Sequence, residues 1–241
     1  MQQYFSDVSL EIGDEYIFDS KQAHHAKNVV RLENEKVRIV AGGIGYFATC
    51  YSKGKDFVAC IEEKDENINE IGVEVTLALA LIRKEKFELA LQKAAELGVT
   101  RVVPFVSSRC VAKPKKEKED KVLRRYRDIL LEASEQCKRN YIPKITEPVK
   151  LENIGEYCSD INLVPYENAF GRSNFIGEEL NSKKSVTVVI GPEGGFSDDE
   201  IAFLNDKGFI TVTLGSRILR AETAAIFACC AVVSAFENKI E

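Results

Sequence analysis

The chain has 241 residues, of which 45% are hydrophobic and 29% are charged, and its formal net charge at pH 7 is −5. This length allows one large domain or two modest ones with a sizeable core. The negative balance excludes a surface that attracts nucleic acid over its whole area, but not a local basic face, because nearby charges set the field of a cleft. No stretch approaches the roughly 18 apolar residues of a membrane helix, and the first ten residues do not resemble a signal peptide.

The cysteine and histidine content predicts a reducing, cytoplasmic compartment and no metal site. Seven cysteines are present without a C-x-x-C pair, and we expect them to be small core residues. The two histidines, His24 and His25, are not spaced with cysteines as zinc ligands are. Packing or capping is the simpler interpretation of this histidine pair.

The first 65 or so residues have the pattern of a small β-sheet or β-barrel. Stretches rich in Val, Ile, Tyr and Phe predict strands over 15–18, 36–41, 46–51 and 56–62. Glycines such as Gly42 and Gly43 supply turn chemistry between these strands. Residues 62–70 are mostly charged or Asn and predict a linker.

After the linker, predicted strands alternate with predicted helices. The strands are 73–81, 102–106, 161–165, 186–190 and 209–214, and the helices are 87–97, 116–139, 197–207 and 221–236. Ser197 and Glu200 match a capping box, and the longest helix has an apolar stripe that includes Val122 and Cys137. This alternation predicts an α/β domain with a mostly parallel sheet. The last helix is almost wholly apolar, so we expect it to be buried against the sheet or a partner.

Two glycine turns, each placed after a predicted strand, are the clearest functional signal. The first is Gly191-Pro-Glu-Gly-Gly195, and the second begins at Gly215. Glycine permits positive φ and close backbone approach to a ligand, and open α/β sheets bind ligands where strands end. The spacing fits neither a P-loop nor a dinucleotide fingerprint. The first loop alone is equally compatible with a plain turn, but the two loops together predict one pocket.

The second loop places charged side chains beside a helix start. Arg217, Arg220 and Glu222 can hold a phosphate or polarise a base, while Ile218 and Leu219 can line an apolar wall. Helix capping with a surface ion pair is the alternative interpretation.

Basic residues form further clusters after the predicted linker. Eight lie between Lys113 and Arg127, where acidic residues partly offset them, and a solvated helix face is the simpler interpretation of that run. Others lie at 83–86 and 138–144. A face for RNA built from several of these clusters is compatible with the sequence.

Taken together, these motifs resemble the RsmE family, which are 16S ribosomal RNA uracil-N3 methyltransferases of the SPOUT class that use S-adenosylmethionine. The matching segments run through almost the whole chain. They are His25-x5-Arg31, 87–98, 108–110, 135–140, 190–195 and 214–224. The hairpin turn Ala41-Gly42-Gly43 departs from the Asp-Gly that the family often has there.

The resemblance implies a fold and partners that periodicity cannot reveal. It implies a PUA-like β-barrel over 1–68 that helps to grip RNA, and a SPOUT α/β domain with a deep trefoil knot over 69–241. It also implies a cytoplasmic homodimer that acts on 16S rRNA within the small ribosomal subunit, with no membrane partner and no metal.

Methyl transfer from S-adenosylmethionine to N3 of a uridine is the activity that the resemblance implies. The loops expected to bind S-adenosylmethionine contain Leu163, Val164, Pro165, Ile190, Gly191, Pro192, Glu193, Gly194, Leu214, Gly215, Arg217, Ile218 and Leu219. The residues expected to bind RNA are His25, Lys27, Arg31, Arg83, Lys86, Arg109 and Arg139.

Two residues of the second loop are the candidate catalytic groups. Uracil N3 carries a proton, so Arg220 is predicted to stabilise the charge that develops as the proton is lost. Glu222 is predicted to be the base or to orient Arg220. In the alternative, Glu222 only holds the loop, and Arg109 or Arg139 contacts the base. A dedicated base is not required, because positioning alone supplies several kcal/mol.

Three other functions are alternatives to this one. Only the family resemblance distinguishes the reaction on 16S rRNA from that of a SPOUT methyltransferase acting on another RNA. A non-catalytic ribosome-assembly factor is disfavoured by the intact glycine loops. A Rossmann-type enzyme would have its glycine loop near Leu81, where Ile82-Arg-Lys-Glu85 stands instead.

Overall fold

The computed structural model describes residues 1–111, 119–180 and 185–237. The chain forms two compact units, the first made of residues 1–70 and 134–141, and the second of residues 71–133 and 142–241. The division between residues 70 and 71 lies close to the predicted boundary after residue 68. The segment 134–141 belongs to the first unit, although the sequence pattern had placed it in the second domain.

The first unit contains a five-stranded sheet with the order β1-β3-β4-β5-β2. Its strands are β1 (Gln2–Ser6), β2 (Glu15–Ile17), β3 (Lys36–Ala41), β4 (Ile44–Lys53) and β5 (Asp56–Asp65). Strand β1, which the sequence pattern missed, pairs in parallel with β3, and the other pairings are antiparallel. Strand β5 takes up the beginning of the predicted linker. Helix α1 (Ser20–His24) and a π-helical turn (His25–Val30) follow β2.

A buried polar network joins β3 to the segment 134–141 inside the first unit. Arg38 donates to Asp65 at 2.7 Å, to the side chain of Gln3 at 2.7 Å and to the carbonyl oxygen of Lys138 at 3.2 Å. The Arg139 guanidinium donates to Glu70 at 2.6 Å. These charged groups can be buried because each has a hydrogen-bonded counter-charge.

The second unit contains a parallel sheet of seven strands among the described residues, with the order β12-β10-β11-β6-β7-β8, and β9 also pairs with β7. Its strands are β6 (Glu74–Ala80), β7 (Arg101–Val106), β8 (Lys144–Ile145), β9 (Val149–Lys150), β10 (Ile161–Pro165), β11 (Ser185–Ile190) and β12 (Ile210–Val212). Its helices are α2 (Lys84–Glu96), α3 (Glu119–Gln136, the last three residues of which belong to the first unit), α4 (Asp198–Asp206) and α5 (Ala221–Phe236).

Helices cover both faces of this sheet, as the pattern of a doubly buried strand predicted. Leu77 and Leu79 of β6 pack in one cluster with α2, α3 and α5. Ala78 and Ala80 face the other way, into a cluster that includes residues of α4. The parallel α/β prediction is therefore confirmed, and the carboxyl ends of β10, β11 and β12 meet along one edge.

The apolar stripe predicted on α3 was partly wrong. Val122 is 40% exposed, whereas the neighbouring Leu123 is 4% exposed and is buried with Tyr126. The helix ends at Gln136, before Cys137, because Lys138 adopts a left-handed φ of 66°. The predicted start at residue 116, and the basic residues Lys113, Lys115, Lys116 and Lys118, lie outside the described residues.

Candidate functional site

A cavity of about 380 Å³ opens in the second unit where three strands end. Its wall comes from residues 165–167 after β10, residues 190–193, 195 and 196 after β11, residues 213–215 and 217–221 after β12, and from Lys86 and Ala224. Ligand pockets of proteins commonly have volumes of about 300–1,000 Å³. The two glycine loops therefore lie side by side and form one pocket.

The first glycine loop is held by hydrogen bonds to two other segments of the second unit. Glu193 accepts a hydrogen bond at 3.1 Å from the backbone N–H of Arg83, the residue that precedes α2. Arg109 donates to the carbonyl oxygens of Gly194 and Phe196, each at 3.1 Å. Arg109 thus stabilises the loop, while its side chain is exposed and its contact with RNA stays a prediction.

Two glycines of this loop allow close packing that a side chain would prevent. A Cβ atom on Gly191 would lie 3.0 Å from the ring of Phe196. Gly195 has a φ of +65°, and a Cβ atom there would collide with the Glu167 carboxylate. That carboxylate lines the cavity and makes no hydrogen bond or ion pair with the described residues.

The backbone N–H groups at the start of α4 complete the support of the first loop. Glu200 accepts hydrogen bonds from the backbone N–H of Ser197 and of Ser108, both at 2.9 Å. The Ser197 side chain accepts from the Glu200 N–H, so the predicted capping box is confirmed. Burial acts to raise the pKa of Glu200, but these hydrogen bonds outweigh burial and hold the pKa below its ordinary value of 4.5.

Replacing Glu200 with glutamine is expected to reduce stability at neutral pH and to flatten its acid dependence. Because the pKa is lowered in the folded state, the stabilisation is present above pH 4.5 and is lost as the pH falls through the lowered pKa. We expect a loss of about 1 kcal/mol at pH 7 for this partly exposed group, shrinking toward pH 3. Urea unfolding at several pH values measures the difference, and the exposed Glu132→Gln on α3 is the control. An equal pH dependence in the wild type and Glu200→Gln would contradict the prediction.

The second glycine loop presents exposed side chains at the mouth of the cavity. Gly215 has a φ of +107°, and its N–H donates to the Thr213 hydroxyl at 3.1 Å. Ile218 is 84% exposed, which is unusual for a large apolar side chain. Arg217 and Arg220 also line the cavity and are exposed, and neither guanidinium pairs with a described residue.

Ten of the thirteen residues predicted to bind the cofactor line the cavity, and three do not. Leu163 and Val164 are fully buried inside β10, because only the end of this strand reaches the edge. Gly194 does not line the cavity, and a Cβ atom on it would lie 3.1 Å from the side chain of Arg109. Gly195, Phe196 and Thr213 line the cavity but were not predicted to bind the cofactor, although Gly195 and Thr213 adjoin predicted residues.

The two predicted catalytic residues have different positions. Arg220 lines the cavity at the first position before α5, with no capping hydrogen bond from its side chain. Glu222 does not line the cavity, and its carboxylate lies 3.3 Å from the ammonium of Lys86. Lys86, which was predicted to bind RNA, is itself part of the cavity wall.

The other residues predicted to bind RNA are distributed over both units. In the first unit, His25 hydrogen-bonds the Tyr4 hydroxyl at 3.0 Å, Lys27 lies 6.0 Å from the ring centre of Phe57, and Arg31 is exposed with a φ of 63°. Arg83 of the second unit is exposed at the start of α2.

Arg139 is the exception among these basic residues. It is only 2% exposed and is paired with Glu70 inside the first unit. Its position fits a structural role in the buried polar network.

The described residues contain no helix long and apolar enough to cross a membrane. Within the same residues, no group of three His, Cys, Asp or Glu side chains is arranged to hold a metal ion. Three of the cysteines, Cys50, Cys110 and Cys229, are buried as expected, but Cys158 and Cys230 are exposed.

The model of the RNA methyltransferase domain family matches residues 69–233, which include the parallel sheet and both glycine loops, so this part of the chain is an RNA methyltransferase domain. More specifically, the chain belongs to the ribosomal RNA small subunit methyltransferase E family, which confirms the resemblance found in the motifs. It is 36% identical to the member from Mesomycoplasma hyopneumoniae strain 232, over 88% of this chain and 91% of that protein. It is 31% identical to the member from Bacillus subtilis, over 96% of both chains.

Two solved structures have the same fold as this chain. A putative methyltransferase from Legionella pneumophila in complex with S-adenosylmethionine has a TM-score of 0.88 and 31% identity, over 97% of both chains. The ribosomal RNA small subunit methyltransferase E from Neisseria gonorrhoeae, bound to S-adenosylmethionine, has a TM-score of 0.89 and 27% identity, also over 97% of both chains.

Proposed function

We propose that this protein transfers the methyl group of S-adenosylmethionine to N3 of a uridine in the 16S rRNA of the small ribosomal subunit. The observation that carries this proposal is the single cavity between the two glycine loops, with Arg220 and Lys86 on its wall. Family membership supports the same reaction class, because the relatives are named for methylation of small-subunit ribosomal RNA.

The residues of the cavity fit S-adenosylmethionine. Ile190, Leu214 and Leu219 offer apolar surfaces for the adenine ring, and the glycine loops expose backbone groups to its polar edge. The unpaired carboxylate of Glu167 is suited to a hydroxyl or cationic group of the same molecule. When bound, S-adenosylmethionine supplies a methyl group that its sulfonium has already activated.

Replacing Gly195 with alanine is expected to weaken the binding of S-adenosylmethionine about tenfold. The new Cβ atom collides with the Glu167 carboxylate and forces it to move at the cavity wall, where a loss of about 1.4 kcal/mol of interaction corresponds to tenfold in affinity. The left-handed φ is strained with and without the ligand, so it lowers the stability of the folded protein rather than the affinity. Isothermal calorimetry measures the affinity. The matched control is Gly208→Ala, which has a φ of +87° but no atom within 4 Å of the new Cβ, and which does not line the cavity. Equal loss of affinity in both variants would contradict the prediction.

Residues of the cavity must stabilise the negative charge that the uracil acquires when N3 loses its proton. N3 lies on the pairing edge of the base, so the uridine must be unpaired or flipped to enter the cavity. Loss of the N3 proton leaves negative charge on the ring, and the exposed guanidinium of Arg220 is placed to stabilise it. The position of Glu222 behind Lys86 supports the alternative in which Glu222 does not touch the base.

The binding of RNA is proposed to use exposed or partly exposed basic residues of each unit. His25, Lys27 and Arg31 belong to the first unit, and Arg83 belongs to the second. Such residues hold phosphates and position the RNA without reading its sequence. We leave Arg139 out of this surface because it is buried.

The finer features of the fold and assembly are part of the same proposal. They are a PUA-like barrel in the first unit, a deep trefoil knot in the second, a homodimer and a cytoplasmic location. The RsmE resemblance implies the barrel and the knot, and the mostly antiparallel five-stranded sheet of the first unit is compatible with a small barrel. The partly exposed Phe227 on the apolar helix α5 supports a subunit contact.

The test is an incubation of the protein with radiolabelled S-adenosylmethionine and either small ribosomal subunits or naked 16S rRNA. We expect label in 3-methyluridine after digestion of the rRNA to nucleosides. Label in neither substrate would refute the proposal. Label in another nucleoside would retain methyl transfer but reject the N3 position, and subunit binding without affinity for S-adenosylmethionine would indicate an assembly factor.

A further inference from the structure

Lys86 of the cavity wall and Glu222 behind it form a partly buried ion pair. Lys86 is in the first turn of α2, Glu222 is in the first turn of α5, and the Lys86 Nζ lies 3.3 Å from Glu222 Oε1. The side chains are 27% and 12% exposed, respectively. Lys86 belongs to the cavity wall and Glu222 does not, so the ammonium is the member of the pair that can reach a molecule in the cavity.

The carboxylate of Glu222 has an unusual environment. Its Oε2 atom is shielded from solvent and has no hydrogen-bond partner among the described residues. A buried carboxylate oxygen without a donor is costly, so the ammonium of Lys86 is the main compensation for this charge. The pair therefore restrains Lys86, whose four-carbon side chain would otherwise be mobile.

This environment differs from that of a lysine that holds phosphate. Lys84, two residues earlier on α2, has a side chain that is 72% exposed, and Arg83 is exposed as well. Lys86 is instead partly covered, held by an acid and directed at the same cavity as Arg220. Because partial burial lowers the local dielectric constant, the ammonium of Lys86 acts more strongly on a charge that develops inside the cavity.

We propose that Lys86 is a catalytic residue that donates a hydrogen bond to a uracil carbonyl oxygen next to N3, and that Glu222 is the residue that positions it. This inference rests on the proposed function. Methyl transfer forms the N3–C bond with the electron pair left when the N3 proton departs to water, and the bond between the methyl carbon and the donor sulfur breaks. Two carbonyl oxygens flank N3 and share the transient negative charge. The cavity wall carries three cations, Lys86, Arg217 and Arg220, and of these only Lys86 is partly buried and held by a carboxylate.

The test compares Lys86→Met with Lys86→Arg and with the exposed control Lys84→Met, using intact protein and small ribosomal subunits. We expect Lys86→Met to lower kcat about 10²-fold with less than threefold change in the Kd for S-adenosylmethionine, as for loss of one donor to a developing anion. We expect Lys86→Arg to recover at least tenfold of this loss. Lys84→Met should retain kcat within about twofold, because its partner Glu88 lies outside the cavity wall.

The pH profile separates catalysis from a merely structural effect. Without the cation, loss of the N3 proton depends more on hydroxide, so the kcat of Lys86→Met should climb more steeply toward alkaline pH than that of the wild type. Glu222→Gln should lower kcat about tenfold, and adding it to Lys86→Met should cause little further loss, since the two residues act as a unit. Glutamine keeps the size of the side chain, and a thermal melt checks that each variant is folded.

Several results would overturn the assignment. If the wild type is active and the kcat of Lys86→Met is within threefold of the wild-type value, the assignment of Lys86 is wrong and the proposed function stands. The same holds for a loss confined to the KM for the subunit, which would make Lys86 a phosphate contact, or for fully additive effects of Lys86→Met and Glu222→Gln. A wild type that forms no 3-methyluridine would instead remove the proposed function and this assignment with it.

Discussion

Replacing Arg220 with alanine is expected to lower kcat for rRNA methylation about 10²- to 10³-fold, while S-adenosylmethionine still binds. The guanidinium lines the cavity, is exposed, makes no capping hydrogen bond and pairs with no described residue, so folding does not depend on it. Its charge is thus available to a negatively charged uracil. Single-turnover methylation with saturating S-adenosylmethionine gives the rate, and calorimetry gives the affinity for the methyl donor.

Arg124→Ala is the matched control for this experiment. Arg124 is an exposed arginine on α3 that does not line the cavity, and the variant should retain the wild-type rate. If Arg220→Ala abolished binding of S-adenosylmethionine as well as turnover, Arg220 would be a residue that holds the cofactor loop. A rate within threefold of the wild type would refute a role for this guanidinium in charge stabilisation.

Replacing Arg38 with methionine is expected to destabilise the first unit by about 3–5 kcal/mol, because the change leaves the buried carboxylate of Asp65 without its counter-charge. The side chains of Arg38 and Asp65 are 2% and 5% exposed. The same guanidinium also donates to Gln3 and to the backbone of Lys138, so its removal loosens the segment 134–141 as well. Urea unfolding, followed by a probe in the first unit, measures the effect.

The pH dependence of this variant provides a second, independent measurement. Burial acts to raise the pKa of Asp65, but hydrogen bonds from Asn67 and Arg38 keep the pKa below its ordinary value of 3.8. In the wild type this stabilisation is present above pH 3.8 and is lost as the pH falls through the lowered pKa. In Arg38→Met the carboxyl is protonated more easily, so the deficit relative to the wild type should shrink in acid.

The control for Arg38 is the exposed lysine two residues earlier on the same strand. Lys36 pairs with Glu62 at 3.6 Å, and their side chains are 68% and 41% exposed. Lys36→Met should have an unfolding midpoint close to that of the wild type, since exposed ion pairs contribute little. Similar midpoints for Lys36→Met and Arg38→Met would show that the buried network is not what stabilises the unit.

Local sequence patterns were sufficient for most elements of the second unit. The capping pattern of Ser197 and Glu200 involves neighbouring residues on one helix turn, so it needs no information about the rest of the fold. The run of apolar residues from Leu77 to Ala80 predicts a strand buried on both faces, because successive side chains point to opposite faces and helices cover both. The sequence pattern did not determine which face of α3 is buried, because Val122 and Leu123 are both apolar and only packing distinguishes them.

Long-range pairing explains what the patterns missed. Strand β1 (Gln2–Ser6) is mostly polar at its start, and it is stabilised by parallel pairing with residues 37–41 of β3. The segment 134–141 joins the first unit through Arg139, Asn140 and their hydrogen bonds to Glu70 and Gly43. Neither contact follows from local periodicity, because the partners are far apart in the chain.

The sequence by itself determined the alternation of strands and helices, the two glycine loops and the family to which the chain belongs. Those features depend on neighbouring residues, on backbone freedom at glycine and on motifs that can be compared directly. Only the tertiary structure decided which charged residues face the cavity. It placed Lys86 on the cavity wall and Glu222 behind it, and it buried Arg139, because these positions depend on how separate elements pack.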